Sequence, residues 1–238
     1  MLTLKQIIEE SNNIVFFGGA GVSVESNIPD FRSADGLYNL NHYISPEEIL
    51  SHNFFYSNTE EFFNFYKSKM LYPNALPNPA HLFLTKLEKQ GKLKAIITQN
   101  IDGLHQLAKS DNVLELHGSV HRNYCVKCGQ FHDLNYIISS NGVPKCKKCG
   151  GIVKPDVVLY QEALDENILI KSINAISNAD CLIVGGTSLT VYPAAGLVRY
   201  FNGKYLVIIN KSITNIDKLA HLVINDNIGK VFKELDNE

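Results

Sequence analysis

The 238 residues are enough for one large domain, or for one domain that carries a small inserted module. A formal net charge of −2 is too small to indicate nucleic acid or an acidic membrane surface as a partner. The sequence has neither the apolar stretch of a signal peptide nor a run of about 18 apolar residues that could span a membrane. We therefore expect a monomer in the cytoplasm, with no membrane contact and no specific nucleic-acid partner.

Along the chain, short apolar runs alternate with helical patterns, which is typical of a parallel sheet covered by helices. The runs are almost continuously apolar, as expected of strands that are buried on both faces. The predicted strands are residues 13–17, 95–98, 113–116, 181–184 and 205–209.

Capping residues predict where three helices between the first two strands begin. The predicted caps are Ser45 with Glu48, Ser57 with Glu60, and Asn78 followed by Pro79. Gly91 is expected to end the third of these helices, because a glycine commonly follows the last helical residue.

Two stretches interrupt the alternation of strands and helices. Residues 39–76 are helical and rich in aromatic side chains, and residues 121–153 are rich in lysine, cysteine and glycine. We interpret both as insertions. The predicted fold is α/β: a Rossmann-like parallel-sheet domain made of residues 1–38, 77–120 and 154–238. A smaller inserted domain is made of a helical module (39–76) and a four-cysteine zinc ribbon (121–153).

Four cysteines have the spacing of a zinc ribbon. Two residues separate Cys125 from Cys128 and Cys146 from Cys149, and seventeen residues lie between the pairs. A glycine follows each pair, so that backbone amides can turn toward the sulfur atoms. Four thiolates fill a tetrahedral zinc site and leave no position for water, so the predicted metal is structural. The fifth cysteine, Cys181, lies in an apolar run and is expected in the core.

The first predicted strand runs into a glycine-rich turn at residues 18–23. Such a turn brings backbone amides close to a phosphate when it follows a strand and precedes a helix. Val24 stands where the dehydrogenase fingerprint has its third glycine, and no second strand ends in an acidic residue about twenty positions on. The turn therefore predicts a nucleotide site, but not one for hydride transfer.

Polar residues also follow the other predicted strands. They include the segment 99–105, His117 with Gly118 and Ser119, the segment 185–188, and Asn210. Because open α/β sheets bind ligands at the carboxyl ends of their strands, these residues predict a shared cleft. His117 is the histidine that we expect to act there, although its position alone leaves a core or surface histidine as an open alternative.

Taken in order, these motifs resemble those of the sirtuin family, NAD-dependent protein lysine deacylases, in its bacterial type. The matching segments are 19–23, 28–32, 98–105, 116–119, the four cysteines, 185–189 and 193–195, so the resemblance covers nearly the whole chain. Gly18, Asn27 and the pair Tyr160-Gln161 depart from the family's usual threonine, glycine and Phe-Gly. The last departure lies in a segment that lines the family's peptide groove, so it concerns peptide preference rather than chemistry.

The resemblance implies an enzyme that consumes NAD and holds one structural zinc. Its substrates would be acylated lysine peptides and proteins, and its products deacylated lysine, nicotinamide and O-acetyl-ADP-ribose. His117 would act as the general base, Asn100 would position a ribose hydroxyl or water, and Asp102 would hold the nicotinamide amide. The implied NAD contacts are Gly19, Ala20, Gly21, Val24, Phe31, Arg32, Gln99, Ile101, Asp102, His117, Thr187, Ser188, Asn210, Lys211 and Ile228. The acyl-peptide would add as a strand between residues 189–192 and the segment formed by Val157, Val158, Leu159 and Tyr160.

Tyr66 and Lys69 are candidates for binding the acyl group. They lie three residues apart in a predicted helix and therefore share one face. Sirtuins that remove succinyl groups resemble this region but carry arginine where Lys69 stands, and the pair binds the distal carboxylate. Lysine lacks the bidentate fork of arginine, so we expect deacetylation with weak desuccinylation at most. A core position for Tyr66 and a solvated Lys69 remain an open alternative.

Two other functions remain open at this stage. The same pocket would serve mono-ADP-ribosylation, in which a protein nucleophile takes the place of acyl-lysine. A nucleic-acid-binding zinc ribbon belongs to a different class, and four lysines of the ribbon motivate it: Lys127, Lys145, Lys147 and Lys148. A solvated face is the favoured interpretation of these lysines, because the overall charge is balanced and no aromatic stacking platform is evident.

Overall fold

The computed structural model describes residues 2–30 and 44–237. Phe31 and Arg32, two of the predicted NAD contacts, lie outside the described residues. The strands of the described ranges are β1 (Ile14–Gly18), β2 (Leu93–Thr98), β3 (Val113–Glu115), β4 (Gly118–Cys125), β5 (Phe131–His132), β6 (Val153–Val157), β7 (Cys181–Gly185), β8 (Tyr205–Ile209) and β9 (Leu222–Ile224). They form a six-stranded parallel sheet in the order β3-β2-β1-β7-β8-β9 and a three-stranded antiparallel sheet in the order β5-β4-β6.

The six-stranded sheet confirms the predicted α/β fold and all five predicted strands. Every residue of β1, β7 and β8 is buried, as continuously apolar runs require. The edge strand β9 was not predicted from the sequence. It is three residues long and only half buried, so its apolar run is too short to stand out from a loop.

Helices cover both faces of this sheet. They are α1 (Leu4–Glu10), α2 (Pro46–Ile49), α3 (His52–Ser57), α4 (Thr59–Lys69), α5 (Pro79–Lys89), α6 (Leu104–Leu107), α7 (Leu134–Ser139), α8 (Glu166–Asn178) and α9 (Ile228–Asp236). On one face Phe16 of β1 packs with residues of α1, α5 and α9. On the other face Phe17 packs with α8 and with the short helical segment Ala194–Tyr200. No helix within the described ranges is long and apolar enough to cross a membrane.

The predicted helix starts are confirmed at two of three places. The Ser45 side chain accepts a hydrogen bond from the Glu48 amide, and Asn78 caps α5, which ends just before Gly91 with its φ of 73°. The cap predicted at Ser57 is wrong. Helix α3 already begins one turn and a half earlier, and the Ser57 hydroxyl donates to the carbonyl of Asn53 instead.

The helical module and the zinc ribbon share one hydrophobic cluster. Phe62 and Tyr66 of α4 pack in the same cluster as Ile137 of α7 and Val153 of β6. The Lys67 ammonium adds two hydrogen bonds across this contact, to the carbonyls of residues 140 and 142 at 2.5 and 2.8 Å. Strands β4 and β6 run across the predicted limits 121 and 153, so the ribbon is continuous with the segments beside the main sheet. The division into modules stays a prediction.

Two histidines are buried against each other between α5 and α6. The ring centroids of His81 and His105 are 4.7 Å apart, and both side chains are almost fully buried. Within the described residues, both ring nitrogens of His105 and Nε2 of His81 have no hydrogen-bond partner. Burial lowers the pKa of His81 to about 4. Burial and the neighbouring His81 hold the pKa of His105 well below its ordinary value. Both rings are therefore neutral in the folded protein.

This pair predicts a loss of stability in mild acid. Unfolded histidines titrate near pH 6.5, so below that pH the unfolded chain binds protons that the native pair does not. We expect the free energy of unfolding to fall between pH 7 and 5, by up to about 1.4 kcal/mol per pH unit for each histidine. Urea unfolding at a series of pH values measures the slope. The double variant His81→Gln with His105→Gln should have a shallower slope, and equal slopes would contradict the prediction.

Candidate active site

Strands β1, β2, β7 and β8 end at one cavity of about 870 Å³. Every predicted NAD contact within the described ranges lines it, and so do Tyr66, Lys69 and the residues Val157, Val158, Leu159 and Tyr160; of the predicted peptide segment 189–192, only Val191 and Tyr192 line it. Most of the residues that the sequence predicted to share one site therefore lie around the same cavity in the fold. The role of each residue stays a prediction.

The glycine-rich turn after β1 lies directly against the turn after β7. The Gly21 amide donates to the carbonyl of Gly186 at 2.8 Å. A Cβ atom on Gly21 would lie 2.8 Å from the Cα atom of Gly186, and one on Gly186, whose φ is 60°, would lie 2.4 Å from the amide nitrogen of Val22. Both positions therefore require glycine. After β1 the chain forms two 3-10 turns, Ala20–Val22 and Val24–Ser26.

Side-chain amides connect the ends of β2, β7 and β8. Asn210 accepts from the Thr187 amide at 2.9 Å and donates back to the Thr187 carbonyl at 3.0 Å. Gln99 donates through Nε2 to the Thr187 hydroxyl at 3.1 Å. These bonds hold three predicted NAD contacts in fixed positions around the cavity.

Asp102 is oriented by a short hydrogen-bond chain. The Ser23 hydroxyl donates to Oδ2 of Asp102 at 2.6 Å, and the Leu104 amide donates to Oδ1 at 2.9 Å. Asn100 donates through Nδ2 to the Ser23 hydroxyl at 3.1 Å. Burial raises the pKa of Asp102, and the bonds from Ser23 and Leu104 oppose that rise.

Two members of the surroundings of Asp102 were not predicted. Ser23 is the last residue of the glycine-rich turn, and that position in the motif is the signal that could have identified it. His121 of β4 donates through Nε2 to the carbonyl of Asp102 at 2.9 Å. A Cβ atom on Gly103 would lie 2.7 Å from the His121 ring, so the ring packs on that glycine. No sequence pattern indicates this second contact, because it joins two distant segments.

His117 has one ring nitrogen fixed and the other available. Its Nδ1 lies 2.9 Å from the carbonyl oxygen of Gln99. A carbonyl oxygen only accepts, so Nδ1 carries the proton and Nε2 of the neutral ring is free to accept one. Burial lowers the pKa of His117, against a smaller rise from the Gln99 bond. The ring is therefore in its neutral, basic form at pH 7.

The segment predicted to pair with a peptide is fixed by hydrogen bonds to His117 and Glu162. The Val158 amide donates to the His117 carbonyl at 3.0 Å. The Leu159 amide donates to Oε2 of Glu162 at 2.9 Å, and the Leu159 carbonyl accepts from the Glu162 amide at 3.0 Å. Glu162 is a further residue that the sequence analysis did not assign to the site. Pairing of this segment with a peptide stays a prediction.

Tyr66 lies between the core and the cavity. Its ring is fully buried and stacks on Phe62, with the centroids 5.6 Å apart and the planes 12° from parallel. Its hydroxyl nevertheless has no hydrogen-bond partner among the described residues, and burial raises its pKa. Lys69, one turn on, also lines the cavity. The core position that the sequence left open therefore holds for Tyr66, yet both side chains reach the cavity.

The four cysteines of the ribbon fit a zinc ion. The sulfur atoms of Cys125 and Cys149 are 3.4 Å apart, those of Cys128 and Cys146 are 3.7 Å apart, and all four lie within 4.8 Å of one another. Tetrahedral bonds of about 2.3 Å would place the sulfur atoms about 3.8 Å apart. None of the four lines the cavity, so this metal would stabilise the ribbon and take no part in the reaction.

We predict one zinc per chain, and its loss on Cys146→Ser. Three thiolates hold zinc less well, and the ribbon would lose about 4 kcal/mol or more, equivalent to a Tm about 10 °C lower. Metal analysis and thermal unfolding measure the two effects. Cys181→Ser is the matched control, because Cys181 is buried in the main sheet away from the ribbon and should leave the zinc content at one. A Cys146→Ser protein with stoichiometric zinc would contradict the assignment.

A parallel sheet that ends in a glycine-lined cavity, with a four-cysteine ribbon beside it, defines a nucleotide-binding α/β protein with an added metal module. The Sir2 family model matches residues 19–193. The chain belongs to the Sir2 family.

Individual relatives and solved structures agree with this assignment. The chain is 68% identical to an NAD-dependent protein deacetylase of Clostridium perfringens (strain 13 / Type A), over 96% of this chain and 95% of that protein. It is 46% identical to an NAD-dependent protein deacetylase of Staphylococcus epidermidis (strain ATCC 12228 / FDA PCI 1200), over 98% and 96%. A solved Sir2 variant with deacetylated p53 peptide and 3′-O-acetyl-ADP-ribose is similar at a TM-score of 0.90 and 38% identity, over 98% of this chain and 96% of that one. A solved complex of Sir2, p53 peptide and NAD+ gives 0.85 and 40%, over 97% and 95%.

Proposed function

We propose that this chain is an NAD-dependent protein lysine deacetylase, which yields deacetylated lysine, nicotinamide and O-acetyl-ADP-ribose. The observation that carries the proposal is His117, which lines the same cavity as the predicted NAD contacts and bonds through Nδ1 to the Gln99 carbonyl, so that Nε2 has no hydrogen-bond partner among the described residues. The relatives named NAD-dependent protein deacetylase and the Sir2 structures with NAD+ and with acetyl-ADP-ribose support the same activity.

The residues of the cavity are suited to hold NAD. Gly21 and Gly186 let the turns after β1 and β7 pack backbone against backbone at the edge of the cavity. Thr187 and Asn210, fixed by their mutual hydrogen bonds, would contact the phosphates and the adenosine. NAD supplies an electrophilic ribose carbon once its bond to nicotinamide breaks, and the oxygen of the acyl-lysine amide attacks that carbon. Asp102 would accept hydrogen bonds from the carboxamide of nicotinamide, since its carboxylate is already oriented by Ser23.

His117 would act as the general base. The ribose hydroxyl, giving its proton to Nε2 of His117, would attack the acyl carbon; one water would then add to that carbon, the lysine amine would leave, and the acetyl group would remain as an ester on ADP-ribose. The Gln99 carbonyl keeps the proton on Nδ1, so the ring does not turn its wrong nitrogen to the substrate. Asn100 would position a ribose hydroxyl or a water beside it.

Mass spectrometry of an acetyl-lysine peptide incubated with NAD tests the function. We expect mass loss from the peptide together with free O-acetyl-ADP-ribose. His117→Ala should lower turnover by about 10²–10⁴-fold, the usual effect of removing a general base, while the fold is retained. His221→Asn is the control, because His221 does not line the cavity. ADP-ribose on protein without free acetyl-ADP-ribose would favour mono-ADP-ribosylation instead, and a His117→Ala enzyme with more than about a tenth of normal turnover would remove His117 from the mechanism.

We propose acetyl as the main acyl group, with weak desuccinylation at most. Tyr66 and Lys69, which both line the cavity, would offer a hydroxyl and a charge to a distal carboxylate, but the lysine supplies no bidentate fork. Lys69→Arg should therefore raise the ratio of desuccinylation to deacetylation, by about fivefold if one additional charged hydrogen bond forms. Lys67→Arg is the matched control, because the Lys67 ammonium bonds to carbonyls 140 and 142 of the ribbon. An unchanged ratio in Lys69→Arg would show that residue 69 does not reach the acyl group.

The setting of the protein is part of the proposal. The zinc ribbon needs reduced thiolates, which supports a place in the reducing cytoplasm. A monomeric state, the absence of a specific nucleic-acid partner and the module limits 39–76 and 121–153 stay predictions from the sequence.

A further inference from the structure

The N-terminus of α3 is capped by residues that line the cavity. A helix begins with amides that have no partner inside the helix, and outside groups must satisfy them. The first amide, of His52, donates to the carbonyl of Tyr160 at 2.9 Å. The second, of Asn53, donates to Oε1 of Gln161 at 3.1 Å. Only the third is capped from within the module, by the Ser51 hydroxyl.

Further hydrogen bonds join the same two segments on both sides of this cap. The Tyr160 amide donates to the carbonyl of Leu50 at 3.0 Å, so Tyr160 forms an isolated parallel β-bridge with Ser51 just before α3. His52 bonds through Nδ1 to Oε1 of Glu162 at 3.0 Å. The other carboxylate oxygen of Glu162 accepts from Lys154 at 3.0 Å and from the Leu159 amide at 2.9 Å. Three consecutive residues, 160 to 162, are therefore attached to one helix end.

Gln161 has an unusual backbone for its side chain. Its φ is 75°, in the left-handed region that favours glycine. Glycine has no side chain that could accept from the Asn53 amide, whereas Oε1 of Gln161 does. The backbone cost at residue 161 is thus offset by a hydrogen bond that glycine cannot make.

We propose that Gln161 and His52 are positioning residues that set the affinity for the acyl-peptide. Both act through the segment 157–160, which lines the cavity and is expected to pair with the peptide. By attaching the end of this segment to α3 before the peptide arrives, they reduce the ordering that binding would otherwise require. The inference rests on the proposed function, since it assumes that acyl-peptides are the substrates.

The test compares peptide and NAD kinetics in matched variants. Gln161→Met keeps the length of the side chain but removes the acceptor, and His52→Phe keeps the ring contact with Tyr56 but removes the bond to Glu162. We expect each to raise the peptide KM about threefold, and the double variant about tenfold, as the loss of exposed hydrogen bonds predicts. The kcat and the KM for NAD should stay within about twofold, because neither bond involves the reacting groups.

Two further variants separate positioning from general damage. Gln161→Glu restores an acceptor, and its charge suits a helix N-terminus, so it should recover most of the affinity that Gln161→Met loses. Tyr56→Phe keeps the ring contact with His52 and removes only a hydroxyl, and it should leave the peptide KM unchanged. Wild-type peptide KM in Gln161→Met and His52→Phe would overturn the inference, and so would equal losses in Gln161→Met and Gln161→Glu. An unmodified enzyme without turnover on acetyl-peptide would instead contradict the proposed function, so it is measured first.

Discussion

The site depends on the common register of four parallel strands. Gly18 of β1 pairs with Thr98 of β2 and with Gly185 of β7, and Gly185 in turn pairs with Ile209 of β8. The backbone pairing continues one residue further, where the Gln99 amide donates to the Gly18 carbonyl and the Gly186 amide donates to the Ile209 carbonyl. The turns that follow the four strands consequently begin side by side at one edge of the sheet. A slip of one residue in any strand would turn its side chains to the opposite face and separate the turn from the others.

One physical cause has opposite effects on two ionisable groups of the cavity. Burial disfavours the charged form of either group, so it lowers the pKa of His117 and raises that of Asp102. A base needs the neutral imidazole, so burial alone suffices for His117. A carboxylate that accepts hydrogen bonds must stay charged, and there the Ser23 hydroxyl and the Leu104 amide work against burial. The Ser23 hydroxyl therefore favours the charged form of Asp102 against burial, whereas His117 needs no partner to favour its neutral form.

Those parts of the molecule that depend on local pattern could be predicted from the sequence. Five buried strands, the caps at Ser45 and Asn78 and the metal ligands all follow from spacing along the chain, and the structure agrees with them. The cap at Ser57 failed because Ser57 is still the last residue of the helix that Ser51 caps, and Asn58 takes the cap position of the next helix, α4. Strand β9 was too short to show a period. His121 on Asp102 and Gln161 on Asn53 join segments far apart in the chain, so only the fold reveals them.

The hydrophobic cluster that joins α4 to the ribbon connects the predicted metal site with a residue of the cavity. Tyr66, which lines the cavity, belongs to the same packed cluster as Cys125 and Cys146. A ligand that makes a shared core more rigid favours the binding of a second ligand elsewhere in that core, and such coupling is reciprocal. On the proposed function, occupancy of the metal site and affinity for the acyl chain would be coupled through this core, each favouring the other by the same free energy.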